Sequence, residues 1–150
     1  PAVTAVDLSA MTRSLASEYM DYAEPLSIHF SIEIEPGIQI YGDEALLKKA
    51  LGNVIGNAVT YSPEHGSISI RLTRTQDTAA LTVDNAGAHV READLPHLFE
   101  AFYRAGGSAG HGSGLGLYIT RMILENGQVR HTIENTGDGV RFTAVFPAAG

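Results

Sequence analysis

The spacing of apolar residues changes several times along the chain, and each change marks an element. From Gly42 to Tyr61 the period is 3.6 residues: Leu46, Leu47, Ala50, Leu51, Val54, Ile55, Ala58 and Val59 form one wide apolar stripe. Asp43 stands where an N-cap is needed. Val6 to Tyr22 repeats that period, with Leu8, Met11, Leu15 and Tyr22 toward a core and Pro25 stopping the helix. Ser27 to Glu35 alternates instead. Ile28, Phe30, Ile32 and Ile34 share one face and polar residues the other, which predicts a half-buried strand. Pro36 and Gly37 turn the chain into a short extended piece at Ile38 and Ile40. Ser67 to Thr73 and Ala79 to Asp84 predict a hairpin around Arg74 to Thr78. Leu115 to Asn126 reads as a third helix ending at Gly127, before two strands, Val129 to Glu134 and Val140 to Phe146.

These elements sum to one domain, 1–150, of α/β (α+β) class. The expected fold is a two-layer sandwich: a mixed, mostly antiparallel five-stranded sheet covered on one face by three helices. A chain of 150 residues can close such a core without disulfides, and it has no Cys, which excludes thiol catalysis and Cys-ligated metals. The formal charge of −7 argues against a general nucleic-acid or anionic-membrane surface. No run of 18 apolar residues is present, so no direct membrane contact is expected. The chain opens on Pro1 rather than Met, which suits a processed protein or a piece of a longer one.

Three stretches are candidates for chemistry. On the Gly42–Tyr61 helix, Asn53 and Asn57 stand four apart, so their amides stack on one face, and Thr60 and Tyr61 continue it. Gly52 and Gly56 flank them, each costing about 1 kcal/mol relative to Ala in a helix interior. An Asn amide oxygen is a neutral hard ligand for a Mg²⁺ that also keeps phosphate oxygens and waters. The second stretch, Asp84-Asn85-Ala86-Gly87-Ala88, leaves a strand end, where a carboxylate can accept from an exocyclic amine such as adenine N6. The third runs from Gly110 to Leu117 (GHGSGLGL) and opens a helix, where free N–H groups favour phosphate. Its glycines fit neither the dinucleotide nor the P-loop pattern.

The order of these stretches, with LFEAFYR (98–104) between the last two, resembles the catalytic ATP-binding domain of bacterial sensor histidine kinases, in the wider gyrase and chaperone ATPase superfamily. The Asn helix corresponds to the N box, VDNAG to the G1 box, LFEAFYR to the F box and GSGLGL to the G2 box. The resemblance implies a Bergerat fold with a mobile ATP lid, here Ala105 to Gly110, and ATP with Mg²⁺ as cofactors. By position, Asn57 would ligate Mg²⁺, Asn53 support the metal or phosphates, Asp84 hold the adenine amine and Tyr61 line the site. Gly87, Gly112, Gly114, Leu115 and Gly116 would surround the nucleotide, and Arg104 would reach the terminal phosphate. Phe99 and Phe102 would anchor the lid.

The superfamily's hydrolysing members place a Glu at position 53 as a base; Asn53 is not a useful base near neutral pH. The resemblance therefore implies a phosphotransferase that gives the γ-phosphate to a His on a separate dimerisation domain of the same kinase, with a response regulator downstream. None of the six His residues stands in an H-E-x-R-T-P-like setting, so the isolated chain is expected not to autophosphorylate. The implied setting is the cytoplasmic part of a membrane-anchored sensor. Two departures stand out. Thr60 replaces a frequent Lys, and the G1 box has Ala86 and Ala88 around a lone Gly87, a variant resembling some vancomycin-resistance-type sensors. They favour, as the alternative, a non-catalytic nucleotide-sensing domain. A self-contained ATPase ranks third.

Overall fold

The structure is a computed structural model, and it describes residues 3–100 and 116–150. Its elements are β1 (Thr4–Asp7), α1 (Leu8–Ala23), β2 (His29–Ile34), β3 (Gln39–Gly42), α2 (Glu44–Tyr61), β4 (Ser67–Thr75), β5 (Thr78–Ala86), α3 (Gly116–Asn126), β6 (Arg130–Asn135) and β7 (Gly139–Pro147). Strands β2-β4-β5-β7-β6 form one five-stranded sheet, antiparallel except for the parallel β2–β4 pair, and β1 and β3 form a small second sheet. This is the expected sandwich, with three helices on one face. The parallel pair is what makes the sheet mixed, because α2 lies on the connection between β2 and β4.

Cross-strand register builds the core. Ile70, Val83 and Phe142 lie in one row, and Leu72, Leu81 and Ala144 in the next; all six are buried under the helices. The intervening residues face outward, where Arg71 pairs with Glu33 at 3.2 Å. That alternation is the period-2 rule applied to three strands at once.

Two expectations need correction, the start of the first helix and the edges of two apolar stripes; the short extended piece around Ile38 and Ile40 is present as β3. Val6 and Asp7 belong to β1 rather than to a helix; Asp7 is the N-cap of α1, its carboxylate accepting from Ala10 N–H at 2.9 Å. Tyr22 and Leu46 lie at the margins of their stripes and are exposed. Ile38 and Ile40 are buried, but Ile40 sits in the small β1–β3 sheet, opposite Val6. Ser9 ties that corner down: its hydroxyl donates to the Glu35 carbonyl at 2.6 Å and accepts from Ile38 N–H at 3.0 Å.

The glycines of α2 acquire a reason from packing. A Cβ on Gly56 would stand 3.1 Å from Cε1 of Tyr19, whereas one on Gly52 would meet the Tyr19 hydroxyl at 3.7 Å. The bare backbone at Gly56 lets α1 lie close against α2. The Tyr19 hydroxyl is pushed above its usual pKa, first by burial and then by Glu18 and Tyr22.

Candidate functional site

The site is built on α2 and the strand that runs beneath it. Asp43 caps the helix, its carboxylate accepting from Leu46 N–H at 3.1 Å, while Leu47, Ala50, Leu51, Val54, Ile55, Ala58 and Val59 are buried. Burying that stripe turns the Asn face toward α3. Asn53 is half-buried and donates through Nδ2 to the Gly116 carbonyl at 3.2 Å, which fastens the first turn of α3 to α2. Thr120 adds a second fastening, its buried hydroxyl donating to the Ala50 carbonyl at 3.2 Å. Asn57 is half-buried about 6 Å further along the axis and makes no side-chain hydrogen bond to the described residues. Tyr61 closes the helix and is exposed, as is Thr60.

Asp84 is not where the sequence reading expected it. On β5, Leu81 and Val83 face the helices, so Asp84 faces the opposite way. There its carboxylate accepts from Arg141 Nε at 2.7 Å, and this bond raises the Arg141 pKa above its usual value. The residue that faces α2 is its neighbour, Asn85. It is buried at 7% exposure, and its Nδ2 donates to the Ala58 carbonyl at 2.9 Å. Ala58 lies in the last turn of α2, where helical carbonyls lack intrahelical partners; Ser62 N–H goes to Val59 instead. Asn85 Nδ2 fills that gap. Its Oδ1 is then left buried with no donor among the described residues. An unsatisfied buried acceptor is costly, which marks it as a place for a ligand's donor. The signal was legible: positions 81, 83 and 85 share one parity.

Beyond Asn85 the chain turns at Gly87, whose φ is +84° and where a Cβ would stand 3.0 Å from Pro63 Cγ. Its N–H donates to the Asp138 carbonyl at 2.9 Å. Asp94, 2% exposed, pairs with Arg91 at 2.9 Å and begins the approach to Phe99. Phe99 packs on the core and meets the His131 ring edge-on, centroids 4.9 Å apart. Gly116 is the first residue of α3. Phe102, Arg104, Ala105 to Gly110, Gly112, Gly114 and Leu115 lie outside the described residues.

The set Asn53, Asn57 and Asn85 is neutral. Among the described residues no group of three or more His, Cys, Asp or Glu is placed to hold a metal. Amide oxygens alone suit a Mg²⁺ that brings most of its ligands with it as phosphate and water. The donor set therefore fits a metal carried in with a nucleotide and does not resemble an all-protein cage. No described helix is long and apolar enough to cross a membrane.

Comparison with known proteins agrees with this fold. Residues 42–150 match the family model described as histidine kinase-, DNA gyrase B- and HSP90-like ATPase. The chain is 33% identical over 148 residues to the phosphate regulon sensor protein PhoR of Pseudomonas aeruginosa, covering 96% of this chain and 33% of PhoR. It is also 33% identical over 150 residues to the sensor protein VanSB of Enterococcus faecalis, covering 98% of this chain and 34% of VanSB. It thus spans about a third of the length of these relatives. Among solved structures, the nucleotide-free catalytic domain of histidine kinase ThkA superposes with a TM-score of 0.87 at 25% identity, covering 98% of this chain and 96% of that one. The mycobacterial sensor histidine kinase MprB superposes at 0.86 and 24% identity, with 98% of both chains covered. Through the matched α2, β5 and α3, which carry the three amides and Gly116, the chain belongs to the histidine kinase-, DNA gyrase B- and HSP90-like ATPase family.

Proposed function

We propose that this chain binds Mg²⁺-ATP and donates the γ-phosphate to a His on a separate dimerisation domain, as the catalytic part of a two-component sensor kinase. The observation that carries the reading is the buried Oδ1 of Asn85, left without a partner among the described residues beside the Asn face of α2. Asn85 accepts from the adenine amine, in the role first expected of Asp84. Because Nδ2 is committed to the Ala58 carbonyl, the amide cannot turn round to offer a donor to a guanine carbonyl. Adenine is thereby preferred over guanine.

From Asn85, at the C-terminal end of α2, the nucleotide runs toward the helix N-terminus. Asn57 supplies one amide oxygen to the Mg²⁺, and Asn53, already holding α3, lies beyond it at the phosphate end. The metal neutralises charge on the phosphates; the chain's part is to bind and orient them. Gly116 at the start of α3 contacts phosphate, as do Gly112, Gly114 and Leu115 from the same glycine-rich stretch of the sequence; Arg104 reaches the γ-phosphate and Tyr61 borders the base. A neutral Asn53 activates no water, so transfer awaits the partner His. Two solved structures of the same fold are consistent with this use: ShkA was solved with AMPPNP, and ThkA in complex with the response regulator TrrA. A response regulator as downstream partner, and a cytoplasmic place in a membrane-anchored sensor, complete the proposal.

The test is binding followed by transfer. Mg²⁺-ATP is expected to bind at least tenfold more tightly than Mg²⁺-GTP, and mixing with the kinase's own dimerisation domain should yield phospho-His. Equal affinity for both nucleotides would discard the base contact. Binding without transfer would favour a nucleotide-sensing domain, the reading that Thr60 supports by leaving no charge at that place on α2.

A further inference from the structure

The loop that follows Gly87 is held from an unexpected quarter. Asn135, the last residue of β6, is paired with Val140 of β7, and Val140 with Asn85 of β5, so the two Asn residues occupy one rung with Val140 between them. Their Cα atoms are about 10 Å apart at the usual strand spacing. Asn135 has the parity of Ile133 and His131, which stand opposite the buried Phe142 and Ala144, so it lies on the helix-covered face, as Asn85 does. Its side chain takes both polar groups of one residue. Oδ1 accepts from Val90 N–H at 3.1 Å, and Nδ2 donates to the Val90 carbonyl. A side-chain amide here imitates one rung of a β-ladder, giving the loop a sheet partner without its being a strand.

We propose that Asn135 is a positioning residue for base recognition: it fixes loop 87–91 as the wall across Val140 from Asn85, so that the purine meets Asn85 Oδ1 in line. This rests on the reading of Asn85 as the base contact. A hydrogen bond weakens steeply once its angle falls below about 120°, so a wall free to shift loses the amine contact before it loses the nucleotide. The fastenings at the phosphate end, Asn53 to Gly116 and Thr120 to Ala50, do not involve Asn135. The consequence falls on which base is preferred.

The experiment compares ATP with inosine triphosphate, which has a carbonyl in place of the amine, by calorimetry with Mg²⁺ and the non-hydrolysable forms of both. The wild-type chain is expected to prefer ATP, and Asn135→Ala to reduce the ATP-to-ITP affinity ratio about tenfold, the value of one neutral hydrogen bond. Asn135→Asp keeps the side-chain volume and sets a carboxylate oxygen against the Val90 carbonyl; it should reduce the ratio as well, and it serves if the Ala variant does not fold. Thr136→Ala is the control. It removes the acceptor for Gly139 N–H, at 3.0 Å in the same hairpin, without touching Val90. It should lower the melting temperature and leave the ratio unchanged. An unchanged ratio in both Asn135 variants, or an equal fall in Thr136→Ala, overturns the inference while leaving Asn85 in place. A wild-type chain that does not distinguish ATP from ITP overturns the Asn85 reading and this inference with it.

Discussion

Asn53 Nδ2 lies 3.2 Å from the carbonyl oxygen of Gly116, so a side chain proposed for the phosphate end is also a fastening between two helices. The bond uses the amide as a donor. A carboxylate at the same place offers only acceptors and would face the Gly116 carbonyl. Asn53→Asp is therefore expected to be less stable than Asn53→Ala, with a loss of about 1–3 kcal/mol against the wild type. Urea midpoints give the order, and amide exchange should rise in the first turn of α3. An Asp variant as stable as the wild type would mean that the bond contributes nothing.

Adjacent positions on β5 should behave in opposite ways. Asp84→Ala removes a partly exposed ion pair with Arg141, of the kind that solvent screens, and should leave ATP affinity unchanged. Asn85→Ala removes the cap on the Ala58 carbonyl and the acceptor for the base, and ATP affinity should fall at least tenfold. Calorimetry on the two variants decides between them. The reverse pattern would restore Asp84 as the base contact.

Asn57→Ala should raise the Mg²⁺ concentration needed for ATP-analogue binding by at least about tenfold, while Asn57→Asp should keep a metal-dependent response. The readout is analogue binding across a Mg²⁺ series. A titration of the Ala variant that overlays the wild type would remove Asn57 from the metal.

The two α2 glycines should differ in stability. Gly52→Ala brings its Cβ into ordinary contact with Tyr19 and gains helix propensity, so it should stabilise by about 0.5–1 kcal/mol. Gly56→Ala sets a Cβ 3.1 Å from the Tyr19 ring, and overpacking should cancel that gain or reverse it. Paired denaturation curves test this, with Gly56→Ala in a Tyr19→Ala background expected to lose the penalty.

The sequence by itself determined the layers and much of the site. A 3.6 period with Asp43 before it could only be α2, and burying its stripe necessarily presents Asn53 and Asn57 together. The alternation at Leu81 and Val83 already placed position 85, and not 84, on the helix-covered face, although the chemistry of a carboxylate drew attention to Asp84. Tertiary structure decided whatever depended on residues distant in the chain. A strand's period of two means that one position of difference moves a side chain to the other face, and only the row Ile70, Val83, Phe142 fixes which face the helices cover. Gly56 was expensive on local propensity alone; Tyr19, on another helix, supplies the reason. Asn135 carried no motif at all. Its role exists because β6, β7 and β5 bring it onto Asn85's rung while the loop folds back to it, and no local pattern records a contact made across 45 residues.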